Sequence, residues 1–525
     1  MNRRLCLGAL VLAVAFGWPV RAEKFSYHEI QTDAQGMIVP WFSPDPGIAY
    51  DHVLGLVWRF WIGMGRCPNG VPYYLQHQVW KPEHDPRGLG GDQLSMALSS
   101  WQLLYAYSGD RAVLSNMVLI ADYWLDHGLA RADDAWPNLP YPYNTDVHSG
   151  VYDGDMRAGR GVLQPDKAAA FGAELMTLNE LTGNPRYLRA AVAIADTLAA
   201  CVQPGDADHS PWPFRVNART GSVPTNVAAL YTANWTGALR LFDELIRREC
   251  GDTARYAAAR AAVSAWLKQY PMRNNKWGPF FEDVAGWSNT EIDADTLAWY
   301  ILEHPQWDTN WQPDARAILD WSATTFSTNK WARYGVTAIQ EQTAYRVPGN
   351  SHSSRHASVE LIYAAKTGDT GRKAPAIRLL NWATYTVDVD GKNRYPNDDI
   401  WLTDGYGDYV RHFLRAMAAA PELAPADQNH LLGASSVVRR VDYQDKWVAY
   451  ATFDPKGQEV LRVRFTPDRV MAGGKRLPRL ANATELSQRE GYTFDAPGDP
   501  PGTLRVRHDH ARELVIASGD TTQPR

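Results

Sequence analysis

Apolar positions along most of this chain fall on single faces of helices, and the helices come in pairs. In 161–198, Ala168, Phe171, Leu175 and Leu178 recur at helical spacing, and after a corner Leu188, Ala191, Ala195 and Leu198 do the same. The corner is Thr182-Gly183-Asn184-Pro185. Its glycine suits a left-handed C-cap and its proline suits the first turn of the next helix, so the pattern predicts an αα-hairpin.

The unit recurs. Corners at 108–110, Gly183, Gly251, Pro305 and Gly368 each separate two helical runs, and a sixth run from near Asp404 to Ala420 is followed by a shorter return through Leu431. The apolar stretch 50–64 reads as a lead-in helix packed on this body. The first helix of each pair is rich in small residues and the second carries more charge, which predicts an inner ring wrapped by an outer one. The long aromatic and acidic loops all join an outer helix to the next inner helix. They therefore gather on one face.

Beyond about residue 435 the period changes to strict alternation. Runs at 437–451, 459–465, 469–477 and 503–516 are parted by Asp454-Pro455-Lys456-Gly457, by Gly473-Gly474 and by 497–502, which predicts a small β sandwich. Arg3, Arg4, the apolar run 5–18 and Val20-Arg21-Ala22 fit a secretory leader. The expected organisation is a leader at 1–22, a helical body at 23–434 and a β domain at 435–525, secreted or periplasmic. No later stretch approaches the ~20 apolar residues of a membrane-spanning helix.

Composition narrows the partners. A formal charge of -5 with no basic block argues against nucleic acid. The 21 tryptophans and 25 tyrosines serve either large helical cores or the flat faces of sugars, and composition does not choose between them. Beyond the leader, Cys67, Cys201 and Cys250 allow at most one disulfide.

Six αα-hairpins, loops carrying Asp and Trp at the starts of the inner helices, and a small β domain together resemble the (α/α)6-toroid carbohydrate-active enzymes. That group spans six-hairpin glycosidases, unsaturated glucuronyl hydrolases and toroid polysaccharide lyases. The resemblance is architectural, covers about 50–432, and implies a fold rather than a reaction. It also implies a carbohydrate substrate.

Glycoside hydrolysis needs two carboxyl groups across the scissile bond. Asp92 and Asp166 stand at matching positions before consecutive inner helices and form the expected pair, a placement that also suits helix N-caps. In the unsaturated glucuronyl hydrolases, acids so placed are the ones that act. Glu282, in WGPFFEDVAGW, has aromatic neighbours that would raise its pKa toward that of a general acid. The alternative reaction is uronate cleavage by a lyase. There His352 and His356, four residues apart, would lie beside Arg355, and Tyr406 would supply a phenol oxygen; a simple hydrogen-bonded histidine pair accounts for the same spacing. Zinc lacks the glutamate of HExxH.

Trp80, Trp212 and Trp235 are candidates for sugar stacking, with Lys167 and Arg215 as donors to hydroxyls or a carboxylate. No cofactor is expected. The acidic loop at Asp153-Gly154-Asp155 has some calcium-loop character but lacks the ligand order of an EF-hand. A third class, a non-catalytic carbohydrate-binding protein, stays open at this point.

Overall fold

The computed structural model describes residues 28–76, 92–146, 149–281, 284–396, 406–496 and 500–519, with the backbone alone at Gln76, Asp92 and Tyr406. The expected leader at 1–22, and with it Trp80 and Glu282, lie outside the described residues.

Twelve long helices among the described residues build the body: α1 (Pro46–Gly63), α2 (Asp92–Ser108), α3 (Arg111–His127), α4 (Pro165–Thr182), α5 (Pro185–Cys201), α6 (Thr236–Arg247), α7 (Thr253–Gln269), α8 (Glu291–Glu303), α9 (Trp311–Phe326), α10 (Asn350–Thr367), α11 (Lys373–Thr384) and α12 (Tyr406–Ala419). Even-numbered helices pack side by side in order, and α12 closes on α2 to complete an inner ring. The α4–α5 corner forms as its sequence demands. Gly183 adopts φ 75°, Asn184 caps α5 by accepting from the Arg186 N–H, and Pro185 opens the helix.

Small residues let the inner helices approach. A Cβ on Gly237 would lie 2.7 Å from the backbone of Ala170, and one on Gly407 would lie 2.4 Å from the carbonyl of Gln93. Those contacts set α6 against α4 and α12 against α2.

Two expectations need correction. The helix at 46–63 is not a lead-in; it is the sixth outer helix. Tyr50 of α1 donates to Asn381 of α11 at 2.6 Å and meets Phe413 of α12 at 4.9 Å between ring centroids. On its other flank Trp58 and Trp61 meet Trp101 of α2 edge-on at 5.1 and 5.4 Å, and Trp61 donates to Asn116 of α3. Each such aromatic pair adds about 0.5–1.5 kcal/mol beyond its buried area. The return after α12 is correspondingly not a helix. A short 3-10 turn, Pro421–Leu423, leads into strand β1 (His430–Ala434), so the β unit starts a few residues before 435.

That unit continues with β2 (Val438–Gln444), β3 (Trp447–Thr452), β4 (Gly457–Val463), β5 (Arg469–Ala472), β6 (Lys475–Arg476), β7 (Gly491–Asp495), β8 (Gly502–His508) and β9 (Glu513–Ala517). They form two antiparallel sheets, ordered β7-β8-β4-β1 and β6-β5-β9-β3-β2. Alternate residues such as Val448, Tyr450, Leu461, Leu504 and Ile516 fill the space between them.

The sandwich seats on the hairpin corners. Tyr443 donates to the carbonyl of Ala106, Tyr105 donates to the carbonyl of Arg439, His430 stacks on Tyr107 at 3.8 Å, and Arg247 pairs with Asp454. It braces the end of the ring opposite the long loops. Cys67, Cys201 and Cys250 are free thiols. No helix of the described residues is long and apolar enough to cross a membrane.

Candidate functional site

At the loop end of the ring, α8, α10 and α12 begin with polar residues that point into the toroid axis. Their ordinary place would be solvent, yet here they are buried and satisfied mostly by one another. Glu291 lies in the first turn of α8, where the helix N-terminus favours a carboxylate. His352 of α10 sets its Nδ1 2.9 Å from Glu291 Oε2, and Arg355, one turn on, donates to the same oxygen. The other arm of Arg355 pairs with Asp408 of α12. Asp408 is also bound by Arg411, and His412 Nε2 lies 3.0 Å from its Oδ1.

A pocket opens onto this network. His352, Arg355 and Asp408 line it together with Asn350, Glu341 and Tyr395. The Tyr395 hydroxyl donates to Glu341 at 3.2 Å. Among the described residues, the Nε2 of His352 makes no hydrogen bond, which leaves that ring atom available to the pocket. Space for the ring depends on Gly349, because a Cβ there would stand 2.6 Å from His352 Cδ2.

Burial and neighbouring charge split the protonation states. Burial raises Glu291 well above the usual carboxylate range; Arg355 opposes this, and Asp295 and Asp408 reinforce it. Burial would raise Asp408 too, but Arg355 and Arg411 overcome it and hold the group well below that range. His352 is pushed down to about 3 by burial and by Arg355, and its ring is neutral at neutral pH.

A second buried cluster sits where α4, α6 and α8 begin. Asp166 accepts from Lys167 Nζ and from Asn234, each at 2.8 Å. Lys167 also donates to the carbonyl of Phe280 and lies 3.6 Å over that ring. Asp293 is raised well above its ordinary value by burial, with Lys167 opposing and Asp166 adding to the effect.

Several sequence expectations change here. Asp166 is wholly buried and caps nothing; the N-cap of α4 is Gln164, and the Asp166 carboxylate is engaged by Lys167 and Asn234. Asp92 opens α2, but its side chain is outside the described atoms, as is that of Tyr406 at the start of α12. His352 and Arg355 reach the pocket. His356 does not: one turn deeper, it bonds Asp295 at 2.7 Å, and that carboxylate with Glu360 keeps it raised against the effect of burial.

Trp212 and Trp235 are fully buried and pack on each other at 4.8 Å between ring centroids, with Trp212 donating to the carbonyl of Leu198. They are core residues, because a stacking platform needs a free face. Arg215 is also internal: it donates to Asp155 at 2.8 Å and to the carbonyl of Ala228. Asp155 in turn accepts from Gln164 and from the N–H groups of Arg157 and Ala158. Its neighbour Asp153 accepts from Thr145 and pairs with Arg160. Protein donors thus already occupy the carboxylates of the loop read as calcium-like.

Glu291, Glu341, Asp408 and Arg411 escaped the sequence reading. Glu291 and Asp166 both lie in the first turn of the inner helix of their hairpins. Asp408, Arg411 and His412 share the i, i+3, i+4 spacing of one helical face.

No protein-family model matches the chain, and no curated protein does. Solved structures do. A cellobiose 2-epimerase from Bacillus thermoamylovorans B4167 aligns with TM-score 0.51 at 12% identity, covering 70% of this chain and 98% of its own. A cellobiose 2-epimerase from Spirochaeta thermophila DSM 6192 aligns with TM-score 0.50 at 14% identity, over 72% and 98%. A D-mannose isomerase gives TM-score 0.50 at 9% identity, over 70% and 97%. At such identities the likeness is one of fold, and by it the chain is an (α/α)6 toroid.

Proposed function

We propose that this chain is a carbohydrate-processing enzyme whose reaction is proton transfer at a substrate carbon, carried by His352. The carbohydrate substrate is suggested by the names of its fold relatives. The chemistry rests on one observation, the 2.9 Å contact between His352 Nδ1 and Glu291 in a ring whose Nε2 is left to the pocket. With Glu291 ionised, Nδ1–H is donated to it and Nε2 takes a proton from carbon. With Glu291 neutral, its O–H is donated to Nδ1 and Nε2–H returns one. Burial raises the carboxyl and so favours its neutral, donating form between turnovers. Arg355, lining the same pocket, supplies positive charge for the oxyanion that forms beside a carbon losing its proton. A leader at 1–22 would carry this activity out of the cytoplasm.

Glycoside hydrolysis is the second reading, and one observation favours it. Arg355 joins a carboxyl that is raised, Glu291, to one that is lowered, Asp408, and environments that push two carboxyls apart define acid and base roles. Asp92 and Asp166 belong to this reading as well.

The test is incubation with a panel of neutral and uronic oligosaccharides, polysaccharides and their monosaccharides. Reducing ends, ultraviolet absorbance of unsaturated products and sugar identity are followed together. Proton transfer at carbon predicts a new sugar isomer or an unsaturated product, lost in His352→Gln with the helical circular dichroism retained. New reducing ends with neither signal, formed equally by His352→Gln, would overturn it in favour of hydrolysis.

A further inference from the structure

Beside the pocket, on the α4–α6 side of the axis, the inner helices and the loops at their starts line a second cavity of about 60 Å³. Much of its wall lies one to two turns further along the helices, and Met96 and Ile292 line both spaces. We propose that this cavity is a binding site for a small inorganic anion, held by Arg415 with Arg411 and Ser95.

One cation on this wall lacks a carboxylate partner of its own. Arg240 pairs with Glu174 at 2.7 Å, Lys167 with Asp166, and Arg411 with Asp408. Arg415 has no carboxylate within salt-bridge distance among the described residues. Its guanidinium lies 4.0 Å over the ring of Trp299, and burial with Arg411 and Arg240 nearby pushes it down to about 9, against the smaller opposing effect of Glu303 and Asp408. A desolvated cation facing other cations is costly unless a counter-charge joins it.

Hydrogen bonding points the same way. Ser95 Oγ and Arg411 Nε are buried donors on this wall without a partner among the described residues. Buried donors are normally satisfied, and an anion is an acceptor for all of them at once. The space suits a halide or a tetrahedral oxyanion rather than a sugar ring. This inference does not depend on the reaction proposed above.

The probes are sodium bromide and sodium phosphate, each titrated into the whole chain at constant ionic strength against a bulky sulfonate buffer. Binding is followed by calorimetry and by melting temperature. At least one probe is expected to bind saturably at one site per chain, raising the melting temperature with the logarithm of its concentration above the Kd. Arg415→Gln should lose that saturable response. Ser95→Asp, which sets a carboxylate in the anion's place, should lose it too while melting higher than the native chain in sulfonate buffer alone. No saturable binding of either probe, or binding unchanged in both variants, would overturn the proposal.

Discussion

His352 Nδ1 and Glu291 Oε2 lie 2.9 Å apart across the seam between α10 and α8, and only because residue 349 is glycine does the imidazole have room to reach that position. Gly349→Ala therefore displaces a ring that Glu291 otherwise pins. The expected outcome is a fall in kcat of about 10²-fold or more, in the range of lost general acid–base catalysis, with little change in KM or in the unfolding midpoint. Glu291→Gln should lower kcat similarly. Steady-state kinetics beside urea melts make the check, and an unchanged kcat in both variants would remove the dyad from the account.

Acid should act on the fold through the same ring. His352 and His412 are held near 3 in the folded chain against an ordinary value of 6.5. Between those values the unfolded chain binds more protons, so stability rises with pH through this window, is complete above 6.5 and is lost as pH falls toward 3. Urea midpoints from pH 4 to 8 should fall more steeply with acid in the native chain than in His352→Gln. Parallel curves would show that the ring is not held neutral.

The burial of Trp235 separates packing from sugar binding. Trp235→Ala should cost about 3–5 kcal/mol of stability, the range for large-to-small changes at a filled core site. Arg215→Met leaves Asp155 buried without its cation, at a similar cost of about 3–5 kcal/mol. Denaturant melts with KM measured alongside decide the matter, since a sugar-contacting role would raise KM at unchanged stability.

Closure of the ring by α1 makes Gly47 a critical contact. A Cβ there would stand 2.7 Å from the carbonyl oxygen of Ala424, at the turn that follows α12. Gly47→Ala is expected to destabilise the whole toroid by about 1–3 kcal/mol, as overpacking does. A lead-in helix outside the ring would tolerate it, so an unchanged thermal midpoint would contradict this placement.

What could be read in advance was local. The α4–α5 corner is written in Gly183, Asn184 and Pro185, whose conformational preferences act over a few residues. Strand alternation such as that through Val448 and Tyr450 is equally local. Ring closure by α1 was not legible, because on one flank it depends on α11 and α12, more than 300 residues away in sequence. The tryptophans misled for another reason: Trp212 and Trp235 have the composition of a sugar platform and the environment of a core, and only packing distinguishes the two. Of the site, the spacing of His352 and Arg355 was visible. Glu291 and Asp408 acquire meaning only when α8 and α12 flank α10, and His356 loses its expected role because one further helical turn carries it below the pocket.

The most direct measurement is reaction in D2O with a carbohydrate that the chain converts, followed by mass spectrometry and proton NMR of product and recovered substrate. Proton exchange through His352 predicts deuterium bound to a sugar carbon, absent when Glu291→Gln or His352→Gln replaces the native chain. Product formed at full rate with every carbon-bound hydrogen retained would contradict it.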